Sequence, residues 1–450
     1  QRSYFSAHLF TSINQTATSV IMSIQGRGAS SVADALITAF TTQTKVWDAA
    51  LQTPLSGIDP YADPQKTIDV LTLKGGELAQ AIYDSLGPET TGRLLAQLMK
   101  EHAGGAFTRA DLVAAAASVG GDLGALFDDW FGNTDLPGFV ADNVEFYRLP
   151  DTESGDSAYQ LLLRVRNDEP VTGFARVAWT MTAEGQQDYA NRTRSDPIRV
   201  DGRSAVQFGT VLSKPPVAVY VEPYLSLNRE DFLAQTLATD EIRERQVEPV
   251  NGVTPVAWDQ GSDDRIIVDD LDAGFSVVVG AKSTGMRLLG RGVDAGEDQG
   301  LPVATGQGIP AEWRRRAGRN TWGRYRHTLA YIRPGKGDNR VVMKTQIPAA
   351  GDWELEFYMP LIPYIPPERR GIWPLTIITA DGREEVNFNA NGSINGWILV
   401  GEYYLPAGEV SVEISDKTEG MLVVADAIAW SPVRGNNNDD AKQDKPEITQ

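Results

Sequence analysis

The sequence of 450 residues lacks cysteine and has only three histidines, His8, His102 and His327. Without cysteine the chain can form neither a disulfide nor a thiolate metal site. A helical zinc site with histidine ligands needs two of them one turn apart, and no two of these three can share a helix face. We therefore predict no catalytic zinc and no catalytic residues in this chain.

Long apolar runs and clustered positive charge are also missing. No stretch of 18 consecutive apolar residues occurs, so we expect no membrane span. Lysine and arginine number 41 against 60 aspartates and glutamates, and the net charge of −19 disfavours nucleic acid as a partner. The one basic cluster, Arg314-Arg315-Arg316 with Arg319, is interpreted as a solvated loop.

The acidic, cysteine-free composition fits an exported bacterial protein. The chain begins at Gln1 rather than methionine, and no apolar signal-peptide core follows. We expect a mature or processed product that is extracellular, on the cell surface or in the periplasm.

Residues 1–140 carry apolar side chains at helical spacing and are predicted to form a helical domain. Gly87-Pro88 predicts a break between two helices. Thr108 is predicted to cap the next helix, because its hydroxyl can accept a hydrogen bond from the Asp111 backbone.

Three successive signals in this domain have the order and spacing of a known family. They are Lys74-Gly75-Gly76-Glu77 at a helix start, Thr108-Arg109-Ala110-Asp111 at another, and the segment from Gly121-Asp122-Leu123 through Phe127 and Trp130 to Leu136-Pro137. This stretch resembles the last helical part of the gluzincin aminopeptidases, the family of aminopeptidase N. Phe127 and Trp130 are interpreted as core anchors.

The catalytic parts of that family are absent. The chain has no His-Glu-x-x-His motif, and the position of the family's transition-state tyrosine holds Thr72. The resemblance therefore implies a peptidase fold without its catalytic machinery. An alternative remains open, in which the chain is the C-terminal part of a larger, membrane- or transporter-linked zinc aminopeptidase-like protein whose metal-binding segment lies upstream of Gln1.

From about Asp142 the apolar pattern alternates as in strands. Several short strands separated by turns predict an antiparallel sandwich over residues 141–232. The gluzincin resemblance implies an immunoglobulin-like domain there. Residues 233–262 have little apolar patterning and are predicted to be a linker.

A second resemblance covers residues 263–433. It is carried by Ile266-Ile267-Val268-Asp269-Asp270, Gly274-Phe275, Gly323-Arg324-Tyr325-Arg326-His327, Ala349 to Leu355, Trp397 to Leu405 and Gly420 to Ile428. These segments resemble the golvesin-type domain. The resemblance implies an all-β, jelly-roll-like module that binds a carbohydrate or a cell surface.

Six of the ten tryptophans follow residue 300, and an exposed indole can stack on the apolar face of a sugar ring. Trp353 and Trp397 are predicted to point into the sandwich, because each alternates with apolar neighbours. The candidate carbohydrate-binding residues are Trp313, Trp322 and Trp373, which are predicted to lie in loops, and Tyr325.

Acidic residues raise two smaller questions. Asp269, Asp270 and Asp272 could hold calcium through oxygen ligands, although a solvated acidic turn is the favoured interpretation. Asp426 lies within an apolar run and is predicted to make a structural hydrogen bond to backbone NH groups.

The sequence therefore predicts a multidomain α + β protein. Its parts are a helical gluzincin-like domain (1–140), an immunoglobulin-like β domain (141–232), a linker (233–262), a golvesin-like β-sandwich (263–433) and a tail ordered only by a partner (434–450). The favoured function is a non-catalytic surface protein that binds a polysaccharide or another cell-envelope component. A protein assembly, or the upstream half of the same precursor, is the further partner that we consider.

Overall fold

The fold comes from a computed structural model. It describes residues 44–124, 131–152, 154–181, 192–237, 242–259, 265–280, 297–298, 300–304, 308–318, 320–362, 365–393 and 395–433. The chain divides into two compact units. The first unit comprises Gln1–Gln260, Asp294–Asp298 and Arg324–His327, and the second comprises Gly261–Val293, Gln299–Gly323 and Thr328–Gln450. The predicted tail at 434–450 lies outside the described residues.

The described part of the first unit begins with helices, as predicted. They are α1 (Thr44–Gln52), α2 (Pro64–Val70), α3 (Gly76–Glu101) and α4 (Arg109–Ser118), with a 3-10 turn at Leu55–Gly57 and a π-helical turn at Leu71–Gly75. Buried aliphatic side chains such as Leu78, Ile82, Leu94 and Leu112 form their core. None of the helices in the described ranges is long and apolar enough to cross a membrane.

Two local predictions for these helices are confirmed. Gly87 interrupts α3 with a φ of 73°, a left-handed conformation that suits glycine, and Pro88 follows it. At the start of α4 the Thr108 hydroxyl accepts a hydrogen bond from the Asp111 backbone NH, and the Asp111 carboxylate accepts one from the Thr108 NH. This reciprocal capping box satisfies two donors that the first helical turn leaves open.

The first unit continues as a β-sandwich. Its strands are β1 (Phe139–Leu149), β2 (Ala158–Asn167), β3 (Gly173–Thr180), β4 (Thr193–Arg194), β5 (Ile198–Val200), β6 (Ser204–Leu212), β7 (Ala218–Pro223), β8 (Phe232–Thr236) and β9 (Gly252–Val256). One antiparallel sheet has the order β1-β2-β6-β9, and the other has the order β4-β3-β7-β8 with β5 also on β3. Leu163, Val177, Phe208 and Val219 are among the buried side chains that form the core of the sandwich.

The linker prediction for 233–262 is wrong where the chain forms strands. β8 pairs with β7, and Gly252–Val256 pairs with β6 along its whole length. Most side chains of β9 are exposed, so this strand is held by backbone hydrogen bonds at a sheet edge. Composition gives no apolar signal for such a strand.

The remaining strands, in chain order, are β10 (Ile266–Asp269), β11 (Phe275–Val278), β12 (Glu297–Asp298), β13 (Leu301–Pro302), β14 (Arg314–Ala317), β15 (Thr328–Ile332), β16 (Arg340–Ile347), β17 (Gly351–Met359), β18 (Ile372–Thr379), β19 (Gly382–Asn389), β20 (Gly396–Leu405), β21 (Gly408–Ser415), β22 (Val423–Ala425) and β23 (Ala427–Pro432). A 3-10 turn lies at Pro367–Arg369, and β12 belongs to the first unit.

In the second unit a four-stranded sheet has the order β10-β23-β17-β20, a five-stranded sheet the order β11-β16-β21-β18-β19, and a three-stranded sheet the order β14-β15-β22. Their pairs are antiparallel, so the described part of this unit is all-β, as the golvesin resemblance implies. In β17 every second side chain is buried, namely Trp353, Leu355, Phe357 and Met359. This alternation places one face of the four-stranded sheet on the core.

The basic cluster was interpreted as a solvated loop, but Arg314, Arg315 and Arg316 lie on strand β14, and the solvated interpretation is wrong for Arg315. Arg315 is buried, and its Nε lies 2.8 Å from Asp270 Oδ2. The guanidinium also donates to the Asp270 carbonyl. A carboxylate of opposite charge makes this burial possible. Arg319 lies outside the described residues.

Candidate functional site

The outer face of the four-stranded sheet carries an aromatic pair. Tyr358 follows the buried Phe357 on β17, so its side chain points away from the core. Trp397 on β20 is its partner in the strand register. The two ring centroids are 5.2 Å apart with an interplanar angle of 78°, an edge-to-face arrangement. Both side chains are half-buried and stand outside the core cluster of this unit.

Trp322 completes this group from the loop between β14 and β15. Its ring lies 6.0 Å from that of Trp397 at an interplanar angle of 62°. Its backbone NH faces both oxygens of Asp426, at 3.1 and 3.3 Å. Trp322 is also half-buried, so part of its ring is accessible. We call Trp322, Tyr358 and Trp397 the aromatic surface.

Charged and polar groups border the aromatic surface. The Arg265 guanidinium lies 5.0 Å from the Trp397 ring centroid, in a cation–π contact. Its terminal nitrogen is also 3.9 Å from a Glu356 carboxylate oxygen. Burial, with a further contribution from the Asp426 charge, raises the pKa of Tyr358 to about 12. The Tyr358 hydroxyl therefore stays protonated at neutral pH and can donate a hydrogen bond.

A buried acidic group lies beside the aromatic surface, where Asp426 accepts a hydrogen bond from the Trp322 NH. Asp269, Asp270 and Asp426 are all buried. Burial raises the pKa of Asp426 well above that of an ordinary carboxyl, and the charges of Asp269 and Asp270 raise it further. The pKa of Asp269 is also raised well above its usual value, first by burial and then by the Asp270 charge. Asp270 is the member that pairs with the buried Arg315.

These contacts decide part of the acidic predictions. The Asp426 hydrogen bond to backbone NH is confirmed. The solvated-turn interpretation is wrong for Asp269 and Asp270, because both are buried, whereas Asp272 is exposed and accepts a hydrogen bond from the Asp269 NH at 2.8 Å. No group of three histidines or carboxylates with metal-binding geometry occurs in the part of the chain that the structure describes. Calcium binding at Asp269, Asp270 and Asp272 stays a prediction.

The structure separates the four predicted sugar-binding residues. Trp373 is fully buried on β18, where its indole NH donates to the Arg370 carbonyl at 2.9 Å, and Trp313 is 3% exposed. Neither ring offers a face to a ligand, so both predictions are wrong. The half-buried Tyr325 donates its hydroxyl to Glu169 at 2.7 Å within the first unit, and its ring packs against Gly138. Trp322 alone of the four lies on the aromatic surface.

The prediction that Trp397 points into the core is also wrong, and the cause is a β-bulge. Leu399 pairs with Glu356 while Gly401 pairs with Leu355, so Val400 is an extra residue on β20. The bulge reverses which side chains face the core: Ile398 packs inward before the bulge, and Val400 packs inward within it. An alternating pattern read through the whole strand therefore assigns Trp397 to the wrong face. Trp353 is buried, as predicted.

Sequence reasoning missed Tyr358, Trp397 and Arg265 as site residues. A signal for Tyr358 was present, because it is out of phase with Trp353, Leu355 and Phe357. The proximity of Arg265 to Trp397 depends on two strands far apart in sequence, so no local pattern indicates it.

The stretch that resembles a peptidase holds buried charge of another kind. Lys74 is buried, and its Nζ donates to the carbonyls of Thr53 at 3.1 Å and Asn133 at 3.3 Å. Burial lowers its pKa to about 8. Burial, with the Asp84 charge added, raises the pKa of the Glu77 carboxyl to about 7. Thr72 lies in the π-helical turn just before them.

The two described histidines, His102 and His327, have different surroundings. His102 caps the end of α3 near Phe107, with ring centroids 6.3 Å apart. His327 stacks on Phe232 at 5.2 Å within the first unit. His8 and the predicted anchors Phe127 and Trp130 lie outside the described residues.

Solved structures give distant similarities. The chain aligns with a xanthan lyase of Paenibacillus at 16% identity over 65% of this chain and 25% of the lyase, with a TM-score of 0.28. A family 35 carbohydrate-binding module from Clostridium thermocellum aligns at 15% identity over 28% of this chain and 90% of the module, with a TM-score of 0.21. The chain thus spans about a quarter of the length of the lyase. No curated protein matches the sequence.

A family model gives the last comparison, and most of the residues that it matches lie in the second unit. Residues 304–431 match the Golvesin C-terminal domain, which supports the resemblance seen in the sequence for this part of the chain.

Proposed function

We propose that the chain is a carbohydrate-binding protein whose ligand site is the aromatic surface. The observation that carries this proposal is an aromatic group outside the core of the golvesin-type module. Tyr358 and Trp397 lie on one sheet face, and Trp322 meets the Trp397 ring from a loop.

The chemistry of the aromatic surface suits a sugar ring. The C–H groups of a pyranose form an apolar face that an indole can cover, while its hydroxyls require hydrogen-bonding partners at the border. Arg265 provides donors beside Trp397, and the Tyr358 hydroxyl provides one more. The structure thus offers both kinds of contact within one surface.

The finer parts of the proposal concern location and scaffold. We infer an exported protein, extracellular, on the cell surface or in the periplasm, in which the first unit is a non-catalytic gluzincin-like helical scaffold with an immunoglobulin-like β domain. The second unit is the jelly-roll-like binding module. Support for a non-catalytic scaffold comes from Thr72 at the tyrosine position and from Lys74, which is bonded to two backbone carbonyls.

Affinity electrophoresis through gels that contain bacterial exopolysaccharides tests the binding function. The wild-type chain should migrate more slowly in at least one polysaccharide, and Trp322→Ala and Trp397→Ala should each weaken the affinity about tenfold, as expected for a central aromatic contact. Tyr404→Ala is the matched control, because Tyr404 is a 69% exposed aromatic residue on the same strand, β20. Unchanged migration of the wild type across a broad glycan set would overturn the proposal.

The non-catalytic part has a separate test. The purified chain should hold no stoichiometric zinc by elemental analysis and should not cleave aminoacyl reporter substrates. Zinc at one equivalent, together with cleavage that a chelator abolishes, would contradict the inference and favour a peptidase.

A further inference from the structure

Asp426 lies at a corner of the second unit. It is the single residue between β22, which pairs with β15, and β23, which pairs with β17 and β10. Its side chain is fully buried. A residue fixed between two paired strands has little freedom to move, so its carboxylate is a rigid acceptor.

The carboxylate is directed at the backbone of the aromatic surface. Both of its oxygens accept from the Trp322 NH, at 3.1 and 3.3 Å, across 104 positions of sequence. Trp322 itself belongs to a loop rather than a strand, and within that loop the Thr321 NH and hydroxyl bond to the Gly318 carbonyl at 3.1 and 2.6 Å. The loop is thus closed on itself at Thr321 and tied to the sheets by Asp426.

Burying a carboxylate is unfavourable, and the nearby acidic residues make it more unfavourable here. Asp269 and Asp270 both raise the pKa of Asp426, whereas the bond from the Trp322 NH lowers it. Arg315, the buried cation of this group, pairs with Asp270. If packing were the only requirement at this position, an apolar residue would avoid the free-energy cost of burying a carboxylate.

We propose that Asp426 is a positioning residue of the aromatic surface, which holds the Trp322 backbone so that its indole stays edge-on to Trp397. The expected effect on ligand affinity rests on the proposed function. The expected effect on the geometry of the two indoles does not depend on any ligand. Asp426 itself does not need to touch the sugar.

Two readouts test the proposal. Indoles 6.0 Å apart couple their ultraviolet transitions, so the Trp322 and Trp397 pair should give an exciton couplet in circular dichroism. Loss of the couplet in Trp322→Phe assigns it to this pair. The second readout is polysaccharide affinity by the gel assay. Asp426→Ala should remove most of the couplet and lower the affinity about tenfold, the effect of losing one buried hydrogen bond that positions Trp322.

Asp426→Asn provides the conservative rescue, because the amide keeps an oxygen that accepts from the Trp322 NH at nearly the same volume. It should retain the couplet and bind within about threefold of wild type. The matched control is Asp416→Ala. Asp416 is also buried in this unit and holds another loop, accepting from the Gly337 NH at 2.6 Å and from the Asn339 amide at 2.7 Å. That variant should lose stability while keeping the couplet and the affinity.

The outcomes separate this inference from the proposed function. A folded Asp426→Ala variant with an intact couplet would overturn the positioning role. A couplet that decreases equally in Asp416→Ala and Asp426→Ala would also overturn it, since general loosening would then explain the loss. If Asp426→Ala does not fold, a couplet in Asp426→Asn as weak as that in Trp322→Phe overturns it. If the wild type binds no glycan, the proposed function fails, yet the couplet still decides the role of Asp426.

Discussion

The two faces of the four-stranded sheet use aromatic side chains differently. On the inner face Phe357 is fully buried and contacts Trp373 and Phe388, with ring centroids 5.8 and 4.9 Å away. On the outer face Tyr358 meets Trp397 at 5.2 Å, but both rings stay partly accessible. Adjacent residues on one strand thus belong to a core and to a surface.

This difference teaches how to distinguish a stabilising aromatic cluster from a binding one. A core cluster gains free energy by removing whole rings from water, so each ring contributes to folding. A half-buried cluster leaves area that a ligand can still cover. Aromatic count alone cannot separate the two cases, because tryptophans occur in both.

The sharpest test of the comparison replaces the two neighbours in turn. Phe357→Ala should lower the free energy of unfolding of the second unit by about 3–5 kcal/mol, the range for a large cavity in a packed core. Tyr358→Ala should cost no more than about 1.5 kcal/mol, because the ring is only half-buried. Urea denaturation followed by tryptophan fluorescence measures both. Equal losses would show that the outer cluster is a second core rather than a surface.

Much of the sheet structure could be predicted from the sequence, because alternating apolar and polar residues indicate both a strand and the face that it buries. Trp353, Leu355 and Phe357 alternate with polar residues, and the structure buries all three. The helix features at Gly87 and Thr108 also depend on local chemistry and were predicted for that reason. The strand at Gly252–Val256 could not be predicted in this way, because it forms by backbone pairing with a strand that is distant in sequence.

The candidate site was predictable only in part. Trp322 was identified because glycine and arginine near it favour a loop, yet the same reasoning chose Trp373, which is buried in a strand. The orientation of Trp397 depends on the bulge at Val400, which is defined by the partner strand β17 and not by the residues of β20. Contacts between distant strands therefore determine the site.

The acidic group beside the aromatic surface predicts a pH dependence. The pKa of Asp426 is raised in the folded state, so folding binds a proton that the unfolded chain releases. Its stabilising contribution is complete below the ordinary carboxyl pKa of about 3.8 and is lost as the pH rises through the raised folded value. The unfolding free energy of the second unit should therefore increase as the pH is lowered from neutral.

Urea denaturation over a pH series measures this effect, and we expect it to be smaller than the loss in Phe357→Ala. Asp426→Asn, which cannot ionise, should flatten the dependence, while Asp352→Asn, an exposed carboxyl on β17, should leave it unchanged. The same slope in wild type and Asp426→Asn would show that another group carries the effect.

The smallest expected effect belongs to Arg265, at the border of the outer face. Its guanidinium contacts the Trp397 ring, and a partly exposed cation–π contact is worth about 0.5–1 kcal/mol. Arg265→Gln should therefore weaken glycan affinity about two- to fivefold in the gel assay and scarcely change stability. Arg383→Gln is the control, because Arg383 is an exposed arginine on β19 that pairs with Glu413 at 2.9 Å. If both variants lower the affinity equally, net charge rather than the Trp397 contact governs binding. Arg265 would then not belong to the border of the aromatic surface.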